Sequence, residues 1–385
     1  VQSTLTFSED HELFREAVRE FVAHEITPHY PEWEQAHIMP RSVWQAAGEA
    51  GVLGLAVPEE FGGAQLPDYE YQLVLTQELA TVGGYGFALA VHLQQDLVLP
   101  YLLAYGTHEQ KERWLPQMVS GDLVTSCAFT EPGAGSDLRA CTSAVRDENS
   151  YLLNGQKTFI GSGISGDAAL VLARTDGSSE RASEDSFSLF FVEKSEGYTP
   201  GRQLDKMGIR ASDTAELFFE NVRVPAENLI GEPGQGLTYI KQHLSQARLA
   251  IAAASAVISR TTLNATLEYV KERKVFGSRV ADFQNTRFEL ANALMNTELS
   301  ELYVARSIAA FNAGELTAED AAKAKVFASE KACTITDRCL QLFGGYGYIN
   351  EHPVAQAFLA ARLLPIFGGT NELLRDSIGF DLLAE

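Results

Sequence analysis

The stretch that decides the fold is LTYIKQHLSQARLAIAAASAVISRTTLNATLEYVKER, residues 237–273. It contains no proline and no glycine, so no residue in it is expected to interrupt a helix. Its apolar residues recur at helical spacing and form one stripe: Ile240, Leu244, Ala247, Ile251 and Ala254. The stretch therefore predicts one long helix that is buried along one face.

Helical patterns extend outward from this stretch on both sides. After it, residues 282–313 and 318–342 also read as long helices, which together predict a C-terminal four-helix bundle over 232–385. Residues 1–121 show the same period, with Ser8 as the predicted N-cap of the first helix. We therefore expect helical domains at both ends of the chain.

Residues 122–231 have a different pattern, with short β-like runs at 168–173, 187–192 and 215–219. Asn154-Gly155 lies between two apolar runs, which predicts a hairpin turn at that dipeptide. The fold class expected is multidomain α+β. It comprises a helical domain over 1–121, an antiparallel β-barrel over 122–231 and the helical bundle.

The composition excludes several classes of function. The 385 residues contain 30 Lys and Arg against 51 Asp and Glu, a net charge of −21, so a general nucleic-acid binder is not expected. The cysteines, Cys127, Cys141, Cys333 and Cys339, form no C-x-x-C pair, which indicates a reducing compartment. No run of 18 apolar residues occurs, so no membrane span is predicted.

The common catalytic signatures are absent, but glycines cluster in three places. The sequence has no H-E-x-x-H, G-x-S-x-G or P-loop motif and no metal spacing among its histidines, so no metal site is expected. The glycines cluster at 130–137, 341–348 and 367–372. Such segments either present backbone N–H groups to a ligand or are tight turns and helix ends, and the spacing alone leaves both open.

Six segments in order carry a more specific signal. They read GLAVPEEFGG at 54–63, TEPGAGSD at 130–137, KMGIRASD at 206–213, VPAENLIG at 224–231, ERKVFG at 272–277 and QLFGGYGY at 341–348. Together they make the chain resemble an acyl-CoA dehydrogenase over essentially its full length. The GGTNE run at 368–372 is similar to the long-chain type.

The resemblance implies a FAD-dependent oxidoreductase of fatty acid metabolism that desaturates an acyl-CoA substrate between Cα and Cβ. In that family a carboxylate removes the α-proton while FAD accepts the β-hydride. The resemblance also implies an electron-transfer flavoprotein as acceptor and a homotetramer built as a dimer of dimers. A cytoplasmic, bacterial location is expected, with the mitochondrial matrix as the alternative.

The resemblance also assigns residues to the ligands. For FAD it implies Cys127, Phe129, Thr130, Ser136, Phe159, Gly161, Arg273, Phe276, Gln284, Gln341, Gly344, Gly345, Thr370 and Glu372. Of these, Arg273, Phe276 and Gln284 are expected to reach the cofactor across a subunit interface. For the substrate it implies Ser136, Ser245, Arg248 and Gly368.

The catalytic base is where this chain departs from the family. The two family positions for the carboxylate are occupied by Ala247 and Gly368. The chain is an engineered Glu→Ala variant at 247, a natural member that uses another carboxylate, or a protein that binds FAD or acyl-CoA without turnover. Substitutes for the base are Asp96, which otherwise reads as a structural carboxylate, and Glu372, whose motif favours a cofactor contact.

Two other functions compete with the acyl-CoA dehydrogenase reading. One is the non-catalytic binding protein, and the other is a dehydrogenase of acyl-carrier-protein thioesters in a biosynthetic pathway. The charge of −21 argues against docking of an acidic carrier protein. Gly161 stands where the family usually has a hydroxyl side chain beside flavin N5, so the tuning of the cofactor is also expected to differ.

Overall fold

The computed structural model describes residues 3–66, 68–138, 141–175 and 183–384. These described residues begin with seven α-helices, continue through a sheet and end in a second helical domain. The first seven helices are α1 (Glu9–Phe21), α2 (Tyr30–Ala36), α3 (Arg41–Glu49), α4 (Glu70–Thr81), α5 (Tyr85–His92), α6 (Leu99–Tyr105) and α7 (His108–Ser120). The expected helix–sheet–helix order is confirmed.

Local side-chain contacts explain where these helices begin. Ser8 accepts a hydrogen bond from the backbone N–H of His11, and the His11 ring bonds back to the Ser8 N–H, which forms a capping box. Thr107 and Gln110 form the same arrangement at α7. Such caps satisfy N–H groups that lack helical partners, and each typically stabilises a helix by about 1 kcal/mol. The predicted cap at Ser8 is confirmed.

A widened turn joins α5 to α6. Residues Leu93–Val98 form a π-helical turn, so that Tyr85–Tyr105 is one continuous helical run. By length and composition alone this run resembles a membrane span, but it is 61% buried within the protein, as the core helix of a globular domain is. The turn carries Asp96 into the interior, where it is only 3% exposed.

In the part of the middle domain that the structure describes, eight strands form one sheet. They are β1 (Thr125–Ala128), β2 (Ser143–Asp147), β3 (Ser150–Gly161), β4 (Ala168–Arg174), β5 (Phe187–Glu193), β6 (Tyr198–Gln203), β7 (Thr214–Pro225) and β8 (Leu229–Ile230). Most neighbours are antiparallel, but β1 runs parallel to β4 with Thr125 opposite Ala168. The sheet is therefore mixed rather than wholly antiparallel.

The prediction of a hairpin turn at Asn154-Gly155 is wrong. Both residues lie inside β3, which continues for 12 residues, and the turn between β2 and β3 lies at Asp147–Ser150 instead. Gly155 marks a shift in register against β7. A Cβ at 155 would lie 2.4 Å from the hydroxyl oxygen of Thr142, so the glycine is required by a close approach and not by a turn.

The C-terminal domain is built on the predicted long helix. It comprises α8 (Gly236–Glu272), α9 (Gln284–Asn312), α10 (Ala318–Phe343), α11 (Pro353–Leu363) and α12 (Asn371–Ala384), with a small hairpin of β9 (Lys274–Val275) and β10 (Ser278–Arg279). Within it, Arg260 of α8 forms a bidentate ion pair with Glu301 of α9. The first half of α8 also packs on α4, where Leu73 shares a core with Leu249. This contact between the two helical domains encloses the cavity described next.

Candidate active site

A cavity lies between α4, α5, α8 and the segment that follows α11. Its walls are almost entirely apolar, and many of the lining residues are small. Those that line it from α8 are Ala247, Ala250, Ile251, Ala254, Val257 and Ile258. Apolar pockets with a few polar groups are the usual form of a small-molecule site.

The two positions predicted for a catalytic base meet in this cavity. Ala247 and Gly368 both line it, although they are far apart in sequence. Gly368 has a left-handed backbone with φ of 67°. A Cβ at 368 would lie 2.4 Å from Cδ1 of Ile251, one turn after Ala247 on α8. The structure therefore brings the two positions together, and Ile251 fills the space that a side chain at 368 would need.

A small group of polar side chains lies at one side of the otherwise apolar cavity. Asp96 Oδ2 lies 2.7 Å from Nδ1 of His92, and Asp96 Oδ1 accepts a hydrogen bond of 3.0 Å from Gln246. His92 Nε2 lies 3.1 Å from the Thr76 hydroxyl. Asp96 is one of the residues predicted from the sequence, whereas His92 and Gln246 are not. The spacing of His92 and Asp96, one helical turn apart, is the sequence signal that could have predicted their contact.

Two cations stand close to the loop that contains Gly368. Lys325 donates to the Gly369 carbonyl at 2.9 Å and to Asn371 Oδ1 at 2.8 Å. Burial, together with the nearby Arg248 charge, lowers the pKa of Lys325 to about 8. Burial also lowers the pKa of Arg248, whose Nε has no hydrogen-bond partner among the described residues. This unpaired buried donor supports the prediction that Arg248 faces a polar ligand.

An aromatic side chain stands exposed beside the sheet. Phe159 is 71% exposed, and its backbone φ is 58°, a conformation that non-glycine residues seldom adopt. The backbone N–H of Thr158 donates to the Thr130 carbonyl at 3.0 Å, which holds Phe159 beside the 130–136 turn. Strained, exposed residues of this kind concentrate at ligand sites.

A buried ion pair supports that turn from beneath. Lys157 Nζ donates to Glu131 Oε1 at 2.8 Å and to the carbonyls of Phe129 and Leu172. Glu131 also accepts from the backbone N–H groups of Cys141 and Thr142. Neither side chain was singled out from the sequence, because a lone Lys in a β pattern normally predicts a solvated residue.

The fold and the candidate site agree with the similarity of this chain to known proteins. The acyl-CoA dehydrogenase N-terminal, middle and C-terminal domain models match residues 8–122, 126–222 and 234–383. The chain belongs to the acyl-CoA dehydrogenase family. The long-chain specific acyl-CoA dehydrogenase of Mus musculus mitochondria is 40% identical over 381 residues, which cover 98% of this chain and 88% of that protein.

Solved structures place the whole chain in the same fold. An acyl-CoA dehydrogenase from Geobacillus kaustophilus matches with a TM-score of 0.94 and 40% identity, over 99% of this chain and 100% of that one. A glutaryl-CoA dehydrogenase from Mycobacterium smegmatis, in complex with FADH2, matches with a TM-score of 0.90 and 28% identity, over 98% of this chain and 96% of that one. The acyl-CoA dehydrogenase family carries out FAD-dependent dehydrogenation of acyl-CoA thioesters.

The residues beside the sheet fit one half of FAD in this acyl-CoA dehydrogenase. Phe159 offers an exposed ring, and Thr130 and Ser136 lie on the turn held beside it. Burial raises the pKa of the Cys127 thiol to about 12, so this side chain is neutral beneath the turn. The bound cofactor supplies a hydride acceptor, and the protein supplies its orientation. Phe129 is buried under the same turn.

Gly161, which stands where the family usually has a hydroxyl side chain, is adjacent to the cavity wall. A Cβ at 161 would lie 2.4 Å from Cδ1 of Leu93, the first residue of the π turn. Leu93 therefore occupies the space where most of the family would place a Ser or Thr side chain. The contact also links the strand that carries Phe159 directly to the turn that carries Asp96.

The predicted residues for the other half of FAD are only partly together. An open groove of about 950 Å³ is lined by Arg273, Gln341, Gly344 and Gly345. The Arg273 guanidinium lies 5.3 Å from the centre of the Tyr346 ring. An accessible guanidinium and accessible backbone N–H groups of this kind are suited to donate hydrogen bonds to a diphosphate.

The remaining predicted positions lie outside this groove. Phe276 is fully exposed, and Gln284 is exposed at the start of α9. Thr370 accepts from the Leu373 N–H at the start of α12, where Glu372 is exposed. Ser245, on α8, is half-buried and does not line the cavity. Glu372 is likewise not among the described residues that line the cavity.

Proposed function

We propose that the substrate of this acyl-CoA dehydrogenase is a coenzyme A thioester whose acyl chain has roughly ten or more carbons. The observation that supports this is the length of the cavity. It follows α8 from Ala247 to Ile258, which is 258 − 247 = 11 residue steps. At a helical rise of 1.5 Å per residue the lined stretch is about 16 Å long. Small residues, among them Ala80 and Ala88, keep it open along that length.

Flavin bleaching under anaerobic conditions tests the proposal. Each methylene buried in the cavity contributes roughly 0.8 kcal/mol, so affinity should rise steadily from butyryl-CoA through octanoyl-CoA to dodecanoyl-CoA. Calorimetric titration gives the affinities, and loss of the visible flavin band reports dehydrogenation. Tight binding without bleaching would instead favour the non-catalytic binding protein. Preference for butyryl-CoA would contradict the assignment of a long chain.

Ala254→Phe should shorten the acyl chain that the cavity accepts. Ala254 lines the cavity two turns beyond Ala247 along α8, so a phenyl ring there would block the distal part. We expect the affinity for dodecanoyl-CoA to fall by at least about tenfold, because several methylenes lose their apolar contacts. The affinity for butyryl-CoA, measured on the same preparation, serves as the control and should stay within about threefold. An equal loss for both thioesters would place the acyl chain elsewhere.

In this proposal, as in the family, an electron-transfer flavoprotein reoxidises the reduced FAD and so completes the catalytic cycle. The four cysteines are all free, which is consistent with a reducing compartment such as the cytoplasm or the mitochondrial matrix. Reoxidation of the substrate-reduced protein by a purified electron-transfer flavoprotein, followed by recovery of the visible flavin band, tests this step. Reoxidation by molecular oxygen alone would point to another acceptor.

We also propose that the chain forms a dimer of dimers through α9. Apolar side chains on this helix are more than half exposed at helical spacing: Phe288, Met295, Leu299 and Leu302. An exposed stripe of this kind is typical of a protein–protein contact. The groove around Arg273 is open on its own, so a second copy is needed to complete the FAD site across the interface.

Leu299→Glu should dissociate the assembly. Leu299 is 53% exposed, and a carboxylate buried at an interface lacks a partner. Light scattering should show a shift from four chains of 42.0 kDa toward smaller species, accompanied by loss of FAD. Gln117→Glu on α7 adds the same charge at another exposed position and should leave the mass unchanged. An unaltered mass for Leu299→Glu would exclude α9 from the interface.

A further inference from the structure

The family's catalytic carboxylate is missing from both of its usual positions, yet the cavity still contains one carboxylate. Among the described residues that line it, Asp96 is the only acidic side chain. It is 3% exposed and lies on the π turn, a feature that frequently marks functional sites. A buried carboxylate that opens on an apolar cavity calls for an explanation, since burying a charge is costly.

The contacts of Asp96 link it to both sides of the reaction site. Gln246, which donates to Asp96 Oδ1, immediately precedes the empty position Ala247 on α8. Leu93, in the same π turn as Asp96, contacts the strand position Gly161. Asp96 thus lies between α8, where the family has its catalytic base, and β3, beside which the family binds FAD.

The hydrogen bonds of Asp96 leave it free to accept a proton. An ionised carboxylate offers about four lone-pair positions. His92 and Gln246 occupy two of them and the nearby Tyr69 hydroxyl can take a third, which leaves one for a proton. Toward an ionised carboxylate, which only accepts hydrogen bonds, Nδ1 of His92 would act as the donor. Burial and the nearby Asp96 charge raise the pKa of Tyr69 well above its usual range, so this phenol stays neutral.

We propose that Asp96 is the proton acceptor of this chain, with His92 and Gln246 as the residues that position it. The inference rests on the proposed function. The α C–H bond breaks, its proton passes to a carboxylate oxygen of Asp96, and its electron pair forms the Cα=Cβ bond. The β C–H bond breaks with its electron pair as a hydride, for which the family's FAD is the acceptor. Ala247 leaves open the space through which the thioester reaches Asp96.

The test isolates proton transfer from hydride transfer. The FAD-loaded protein is reduced with dithionite, so that no hydride can leave, and dodecanoyl-CoA is added in D2O. Exchange of its α-hydrogens is then followed by NMR. Asp96→Asn should slow the exchange by about 10² to 10⁴-fold, the usual contribution of a positioned base. Calorimetric affinity for dodecanoyl-CoA should stay within about threefold, since asparagine keeps the shape of the side chain.

A second readout needs no substrate. The ¹⁵N NMR signals of the His92 ring, assigned by comparison with His92→Gln, report the Nδ1 contact with Asp96 in the FAD-loaded protein. They should shift in Asp96→Asn. Because His92 is a positioning residue, His92→Gln should lower the rate of α-hydrogen exchange by about tenfold, with little change in the affinity for dodecanoyl-CoA. Unshifted ring signals in Asp96→Asn would show that the pair does not form and would overturn the proposal.

Two further variants separate loss of the base from damage to the fold. Glu78→Gln alters another buried carboxylate, on α4 outside the cavity, and should leave exchange unchanged. Ala247→Glu added to Asp96→Asn restores a carboxylate at the family's position and should recover exchange. Normal exchange in Asp96→Asn would overturn the proposal, as would a chain that exchanges only when it carries Ala247→Glu. The proposed function fails separately, through absence of dodecanoyl-CoA binding.

Discussion

Lys157→Met should lower the free energy of unfolding by about 3–5 kcal/mol, the cost of removing one partner of a buried ion pair. Lys157 is completely buried, and Glu131 is 6% exposed. The substitution leaves the Glu131 carboxylate without its counter-charge and two backbone carbonyls without their donor. Because the pair supports the 130–136 turn, FAD affinity should fall as well. Urea unfolding followed by circular dichroism measures the first effect, and flavin fluorescence the second.

A matched surface pair provides the control. Lys323 and Glu319 form an ion pair at i, i+4 on α10 with both side chains partly exposed, so Lys323→Met should leave the stability nearly unchanged. Removing both charges in Lys157→Met with Glu131→Leu should recover part of the loss, since no unpaired charge remains. Equal losses for Lys157→Met and Lys323→Met would contradict a structural role for the buried pair.

The Lys157–Glu131 pair also predicts how the stability of the protein depends on pH. Burial alone would raise the pKa of Glu131, but the Lys157 charge and the N–H donors around the carboxylate lower it below the ordinary 4.5. A lowered pKa means that this stabilisation is fully present above pH 4.5 and is lost as the pH falls through the folded-state value. The stability difference between the protein and Lys157→Met should therefore shrink in acid.

The second large effect concerns the two family positions for the base. In protein that carries Asp96→Asn, Ala247→Glu should raise the rate of flavin bleaching by at least about 100-fold, within the range expected of a general base. Gly368→Glu in the same background should stay within about threefold of the Asp96→Asn protein. Both new side chains would face one cavity, but Cδ1 of Ile251 lies only 2.4 Å from the Cβ that position 368 would gain.

The backbone adds to this difference between the two positions. Gly368 has φ of 67°, which is strained for any residue with a side chain, whereas Ala247 lies within a regular helix. Gly379→Glu on α12 is the control for an added carboxylate, since no atom lies within 4 Å of the Cβ it would gain. Its effect on bleaching should be negligible. Equal recovery by Gly368→Glu and Ala247→Glu would show that Ile251 moves aside freely.

Local patterns predicted the helices well and the strands less well. The stripe on α8 and the Ser8 cap depend only on neighbouring residues, and the structure confirms both. Asn154-Gly155 misled because the same dipeptide that suits a tight turn also suits a bulge inside a long strand. What distinguishes the two is Thr142, the residue before β2, which leaves no room for a Cβ at 155.

The sequence by itself determined the family and located the departure at Ala247 and Gly368, since motifs and helix periods are properties of neighbouring residues. Only the tertiary structure decided what surrounds that departure. Gln246 and Asp96 are 150 residues apart in the chain, and their contact arises because α8 packs beside the π turn. The end of the Ile251 side chain lies against position 368 for the same reason. Packing between distant elements sets these distances, and no spacing along the chain encodes them.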